Sequence, residues 1–280
     1  MPRELSGVET VLAQAGSENF PVASRILPFA LRRNLMALYG FFRLVDYAGD
    51  EAPGDRDSLL DLLEADLKRV YQGVPRIPLL RALAPTVRER AIPRDLLVRM
   101  IQANRQDQRV SRYQTFDELC DYCALSANPV GESVLYVFGR ARPELIKLSD
   151  RVCTALQILE HCQDVREDYE RGRIYLPAED LDRFDCAEED LQRGSAPTKL
   201  RGLIRFEVRR ASGMLDDGSR LVGHLSGMAR IAVAGYVAGG RATARAFASA
   251  GYDPLGAEVR PSRFWTLYEW ARLWAMGGIR

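Results

Sequence analysis

The chain has 280 residues, 47% of them hydrophobic, with 39 basic and 38 acidic side chains and a formal net charge of +1. Its length and apolar content suffice for a buried core, and so even a charge balance offers no field to hold the protein on nucleic acid. The opening residues lack a basic stretch followed by an apolar core and a small-residue cleavage site. The longest apolar run, about Ile231 to Ala238, is too short to span a bilayer, so neither a signal peptide nor a transmembrane helix is expected.

Helical periodicity runs nearly throughout. Leu31, Leu35, Leu38, Phe42 and Val45 predict a first amphipathic helix, and Leu59, Leu62, Leu63, Leu67 and Val70 a second. Leu145, Leu148, Val152, Leu156 and Leu159 predict a later one. No convincing alternating strand occurs, so the expected fold is all-α. Breaks are expected at 50–57, 73–78, 91–93, 139–143, 172–198 and 252–261, where Gly, Pro and Asp gather. None is long or biased enough to be a linker, so 1–280 reads as one domain. The 172–198 segment is expected to carry short helical turns, because so long a structureless loop is unusual inside a compact domain.

The five cysteines, Cys120, Cys123, Cys153, Cys162 and Cys186, are odd in number and lie within apparently helical stretches, which favours reduced thiols and a cytoplasmic location. Cys120 and Cys123 lack a second pair, and the two histidines are His161 and His224, so buried thiols fit better than a zinc site. Among the 22 glycines no two flank a single residue, and no phosphate-loop pattern occurs. A standard dinucleotide fingerprint is therefore absent. Chemistry has to come from side chains on helices.

Two segments repeat one spacing of polar groups. Tyr39, Arg43, Asp46 and Asp50 lie at i, i+4, i+7 and i+11, which predicts a shared helical face; Gln157, His161, Asp164 and Asp168 repeat those offsets. Random placement gives about 1.4 Asp pairs four apart, against the four present. Asp57/Asp61 and Asp117/Asp121 fall near helix starts and read as solvated faces. Asp46/Asp50 and Asp164/Asp168 adjoin apolar runs, where burial without compensation is costly. Two readings stand at this point. Paired carboxylates suit Mg²⁺ ions that keep water and phosphate oxygens as their other partners, or the same aspartates form salt bridges with Arg43, Arg166 and Arg171.

The residues resemble a known family. Asp164-Val-Arg-Glu-Asp168-Tyr-Glu-Arg-Gly-Arg173-Ile-Tyr175-Leu-Pro177 is similar to the second aspartate-rich signature of the squalene/phytoene synthases, and Tyr39-Gly-Phe-Phe-Arg43-Leu-Val-Asp46-Tyr-Ala-Gly-Asp50-Glu51 to the first. Tyr122 with Asn-Pro-Val-Gly131 resembles the family's kinked middle helix, Pro129 supplying a cause for the kink. The likeness runs from about 17 to 250, and Ser17-Glu-Asn19-Phe20 resembles the start of the hopanoid branch that converts presqualene diphosphate to hydroxysqualene.

That resemblance implies an isoprenoid-synthase helical bundle around a central cavity. Asp46, Asp50, Asp164 and Asp168 would hold roughly three Mg²⁺ ions with the substrate diphosphate. Ser17, Asn19, Arg43, Arg173 and Tyr236 would contact diphosphate, and Tyr39, Tyr122 and Gln157 would face the reacting carbons, with Phe20 among the substrate contacts. For Tyr122 and Tyr236 a core aromatic with a satisfied hydroxyl stands beside that role. His161 reads as a partner of the acidic face or as a hydrogen-bonded structural histidine.

Three positions depart from the family pattern: Glu160 in place of Asn, Gln163 in place of Arg, and Asp46-Tyr47 in place of Asp-Asp. Glu160 is a third carboxylate for metal or the partner of an arginine. An acid gained and a cation lost suit one diphosphate better than two. The expected activity is therefore a lyase-like or transferase conversion of presqualene diphosphate to hydroxysqualene without NAD(P)H. The alternative is a head-to-head condensation giving presqualene diphosphate, squalene or a phytoene-like product. Partner enzymes of the same pathway are expected. Trp265, Trp270 and Trp274 lie in an aromatic, basic stretch at 262–276, which reads either as a packing helix or as a weak peripheral anchor at the inner face of the membrane.

Overall fold

The periodic leucines resolve into helices. The structure, a computed structural model, describes residues 27–276. Among the described residues the only β feature is an isolated parallel bridge between Arg112 and Ile174. Contacts divide the chain into two compact units, Met1–Arg109 with Pro129–Arg142, and Val110–Asn128 with Pro143–Arg280.

The first unit begins with α1 (Phe29–Asp46), which buries Leu35, Leu38, Phe42 and Val45 as the spacing predicts. A π turn, Tyr47–Glu51, extends it. Helix α2 (Arg56–Gln72) starts where Asp55 accepts the Ser58 N–H at 3.1 Å, a cap worth about 1 kcal/mol. Leu62, expected in the core, is 39% exposed, and Leu60 is fully buried in its place; Leu62 lies about a quarter-turn off the stripe through Leu59, Leu63 and Val70. Helices α3 (Pro78–Arg90) and α4 (Arg94–Asp107) follow. The turn into α3 is held by buried Asp66, whose carboxylate accepts the N–H groups of Arg76 and Ile77 at 2.9 and 2.8 Å.

Next come α5 (Phe116–Ser126), in the second unit, and α6 (Asn128–Val137). From Pro129 on, α6 belongs to the first unit, where Glu132 pairs with Arg99 of α4 at 2.7 Å. The kink expected near Pro129 is a full helix break at Ala127, with proline tolerated in the first turn of the new helix.

The second unit is built on α7 (Pro143–Gln163), followed by α8 (Val165–Glu170) and α9 (Ala178–Arg183). A 3₁₀ turn, Glu188–Gln192, precedes α10 (Thr198–Gly218). Then come α11 (Arg220–His224), α12 (Gly227–Ser249) and α13 (Arg263–Met276). The 172–198 segment thus carries the short turns expected of it. Leu200, Leu203, Ile204, Val208, Ala211 and Leu215 of α10 are buried. A charged group is buried with them: Arg210 lies 2.8 Å from Asp180 and 3.0 Å from Glu207, under the rings of Phe116 and Phe206. Burial, reinforced by Asp180 against the opposing Arg210, pushes Glu207 up to about 8. All five cysteines are free thiols, with Cys123 and Cys162 buried and Cys120 half-buried.

Candidate active site

In the first unit, Tyr39 and Arg43 occupy successive turns of α1, and Asp46 closes it. The four polar residues do not share one unbroken α-helical face. Beyond Asp46 the backbone widens, the Ala52 N–H reaching back five residues to the Tyr47 carbonyl at 2.8 Å, so Asp50 rides on a π turn. Such turns are rare and concentrate at functional sites. The turn seats on α4 through Gly49: a Cβ there would lie 2.0 Å from Asn104 Oδ1. Gln108 Nε2 donates to the Gly49 carbonyl at 2.9 Å and to the Asn104 carbonyl at 3.0 Å. Arg43 stands 3.8 Å from Asp46 and 3.6 Å from Glu51, both long, partly exposed ion pairs.

The second acidic segment departs from a regular helix at the corresponding point. Helix α7 stops at Gln163, Asp164 takes φ −96° and ψ 13°, and α8 resumes at Val165. Burial, then the neighbouring carboxylates of Glu160, Asp168 and Glu167, raise Asp164 to about 6, with His161 pulling the other way. Arg166 donates to the Leu255 carbonyl at 2.8 Å and to that of Arg193, while Arg171 pairs with Glu167 at 2.6 Å. The salt-bridge alternative therefore describes Arg43 with Asp46 and not these two arginines. Gln163, where relatives were expected to carry arginine, donates to the Val259 carbonyl and ties down the 255–259 turn.

Beside Asp168 lies an aromatic cluster. The His161 ring stacks on Tyr175 at 3.9 Å and 12°, Tyr122 lies 5.4 Å from both Tyr113 and Tyr175, and all four residues are buried. His161 Nδ1 is 3.8 Å from Asp168 Oδ2, and its Nε2 is 3.4 Å from the Gln157 amide nitrogen. A small pocket opens among His161, Val165, Asp168, Tyr175 and Leu191. The Arg-Gly-Arg-Ile-Tyr-Leu-Pro extension aims Tyr175 into this cluster. Gly172 supplies φ +82°, Ile174 N–H donates to the Ser111 carbonyl at 2.9 Å, and Arg112 braces the Gly172 carbonyl at 2.8 Å and Glu188 at 2.7 Å. The Arg173 N–H donates to the Asp168 carbonyl at 2.9 Å, so Arg173 leaves the backbone beside the acidic segment.

Within the second unit, Tyr122 and Gln157 both approach His161, His161 approaches Asp168, and Glu160, Asp164 and Arg173 lie along the same acidic segment. Tyr236 is half-buried on α12, where burial lifts its phenol to about 12 with Cys153 nearby. Ser17, Asn19 and Phe20 lie outside the described residues. Tyr113 and Tyr175 were not among the residues singled out: Tyr113 sits in a non-periodic stretch, and Tyr175 was visible only as part of a motif. Asn104 and Gln108, the seat of the π turn, carry no sequence signal.

Among the described residues no three of His, Cys, Asp and Glu form a ready-made metal cage. The donor set nevertheless fits Mg²⁺. The carboxylates crowded around Asp164 are hard oxygen donors whose mutual repulsion a divalent cation relieves, and Mg²⁺ characteristically takes one or two carboxylates and completes its shell with water and phosphate oxygens.

Two aspartate pairs at helix irregularities, with an aromatic cluster beside one of them, are the features of this all-α chain that bear on its class. Residues 13–266 match the squalene/phytoene synthase family, to which this chain belongs. Hydroxysqualene synthase of Rhodopseudomonas palustris is 38% identical over 74% of this chain and 71% of its own length. A 15-cis-phytoene synthase of Synechocystis is 34% identical over 76% and 68%. Among solved structures, squalene synthase HpnC from Alicyclobacillus acidocaldarius superposes with a TM-score of 0.80 at 39% identity, covering 90% of this chain and 97% of that one. The protein is an isoprenoid synthase of that family.

Proposed function

We propose that this enzyme converts presqualene diphosphate to hydroxysqualene, releasing diphosphate. The gathering of Glu160, Asp164 and Asp168 beside the buried rings of Tyr122, His161 and Tyr175 supports the metal and diphosphate part of this reading. Asp46, Asp50, Asp164 and Asp168 are the residues that would hold Mg²⁺, and the bound ions would supply positive charge to the departing diphosphate. Arg43 and Arg173 add fixed cationic charge for the leaving anion, with Ser17 and Asn19 as further diphosphate contacts. Tyr122, tilted against Tyr113 and Tyr175, would offer an aromatic face to a carbocation while the cluster excludes bulk water. Tyr39, Gln157 and Phe20 are assigned to the hydrocarbon and Tyr236 to the diphosphate.

Two features favour the hydroxysqualene branch. Glu160 and Gln163 replace a neutral and a cationic residue by an acid and a neutral one, leaving less positive charge for a second diphosphate. Relatives named hydroxysqualene synthase from Rhodopseudomonas, Zymomonas and Sinorhizobium match at 32–38% identity. The phytoene synthase of Synechocystis, at 34%, supports head-to-head condensation as the second reading. Incubating the protein and Mg²⁺ with presqualene diphosphate or with farnesyl diphosphate, and identifying products by mass spectrometry, separates them. Turnover of the first alone is expected. A triterpenoid product from farnesyl diphosphate alone would establish the second.

A further inference from the structure

Helix α13 carries large apolar side chains on both of its sides. Its acid, Glu269, is 5% exposed and lies 3.3 Å from Arg272 and 3.7 Å from Arg241 of α12. Trp270 donates its indole N–H to the Ile231 carbonyl at 3.1 Å, Leu273 is buried, and Trp265 lies under the Arg245 guanidinium at 3.9 Å. Those contacts hold one side of α13 against α12. The other side presents Phe264 at 69%, Leu267 at 63%, Tyr268 at 48% and Trp274 at 55% exposure. Their spacing of three, one and six residues places them along one stripe of an α-helix.

Charge names the occupant. Of the six arginines in residues 227–276, Arg230 donates to the Trp274 carbonyl, Arg241 lies between Asp216 and Glu269, and Arg260 pairs with Glu258; Arg245, Arg263 and Arg272 stay exposed, and of the segment's three acids, Asp253, Glu258 and Glu269, only Glu258 is exposed. A second copy of the same face would set arginine against arginine with almost no carboxylate in reply. An anionic lipid surface answers both features, since aromatic side chains favour the headgroup boundary and arginines pair with lipid phosphates. Among the described residues no helix is long and apolar enough to cross a membrane, so the contact is peripheral.

We infer that the exposed face of α13 docks the protein on anionic membrane, through Phe264, Leu267, Tyr268 and Trp274 with Arg263 and Arg272 beside them. This contact does not depend on the reaction assigned above. The test is co-sedimentation of the full chain with vesicles of phosphatidylcholine, or of equal parts phosphatidylcholine and phosphatidylglycerol, at low salt and at about 0.5 M salt. Wild type should bind the anionic vesicles at least about tenfold better than the neutral ones and lose most of that binding in high salt. The paired change L267S/W274S removes exposed apolar groups only. It should weaken binding about tenfold at unchanged circular dichroism and melting temperature. Absence of binding by wild type to anionic vesicles at low salt would overturn the inference, as would equal binding by the folded double variant. A concentration-dependent dimer that L267S/W274S converts to monomer, without vesicle binding, would overturn it in favour of a second copy.

Discussion

Asp164 occupies the point where α7 gives way to α8, and its environment has a direct consequence for metal binding. Burial and three neighbouring carboxylates hold it near 6 in the metal-free protein, against an ordinary value of 3.8. A raised carboxyl means that folding takes up a proton, so this group's contribution to stability is full at acid pH and fades as pH rises through 6. Mg²⁺ competes with that proton. Its apparent affinity, measured by titrating turnover, should therefore weaken as pH falls below about 6, and pH-independent affinity between 5 and 7 would contradict the assignment. Asp46→Asn, Asp164→Asn and Asp168→Asn each remove a charge and little volume. Each should cut turnover about a hundredfold or more while preserving the helical circular dichroism spectrum. Near-normal rates at saturating Mg²⁺ in all three would end the metal assignment.

At the scale of elements, both acidic motifs lie where a helix departs from regularity, and the sequence reveals only half of this. Periodic leucines and the Gly- and Pro-rich breaks located α1, α2 and α7, and the offsets of Asp46/Asp50 and Asp164/Asp168 marked the candidate metal ligands. The π turn was not legible because it depends on a tertiary seat, Gly49 against Asn104, which no local pattern encodes. For the same reason Tyr113 went unread: the bridge of Arg112 to Ile174, sixty residues away in sequence, gives that loop its place. Gly49→Ala tests the seat, because its methyl would sit 2.0 Å from Asn104 Oδ1. We expect a loss of about 1–3 kcal/mol in urea unfolding, together with reduced turnover. Unchanged stability would show that the turn yields freely. Helix α10 offers a second test. Glu207, pushed to about 8, keeps a proton that the unfolded chain releases, so stability falls as pH climbs from the ordinary carboxylate range toward 8. Glu207→Gln keeps the neutral form and should flatten that decline, with a higher melting temperature than wild type at pH 9. A steeper decline would mean that the ionised carboxylate is the stabilising form beside Arg210.

For the whole molecule, family membership and the all-α fold were legible because the Asp-Tyr-Ala-Gly-Asp and Asp-Val-Arg-Glu-Asp segments with their Arg-Gly-Arg-Ile-Tyr-Leu-Pro extension are specific. The choice between consuming presqualene diphosphate and condensing two prenyl diphosphates rests on the charge change at Glu160 and Gln163 together with the relatives. That choice is also a statement about what quenches the cation. The most direct measurement is turnover of presqualene diphosphate with Mg²⁺ in ¹⁸O-labelled water, without NADPH. The expected product is hydroxysqualene carrying the label in its hydroxyl group, with diphosphate released in equal amount. No turnover under these conditions, or squalene formed only when NADPH is added, would contradict it.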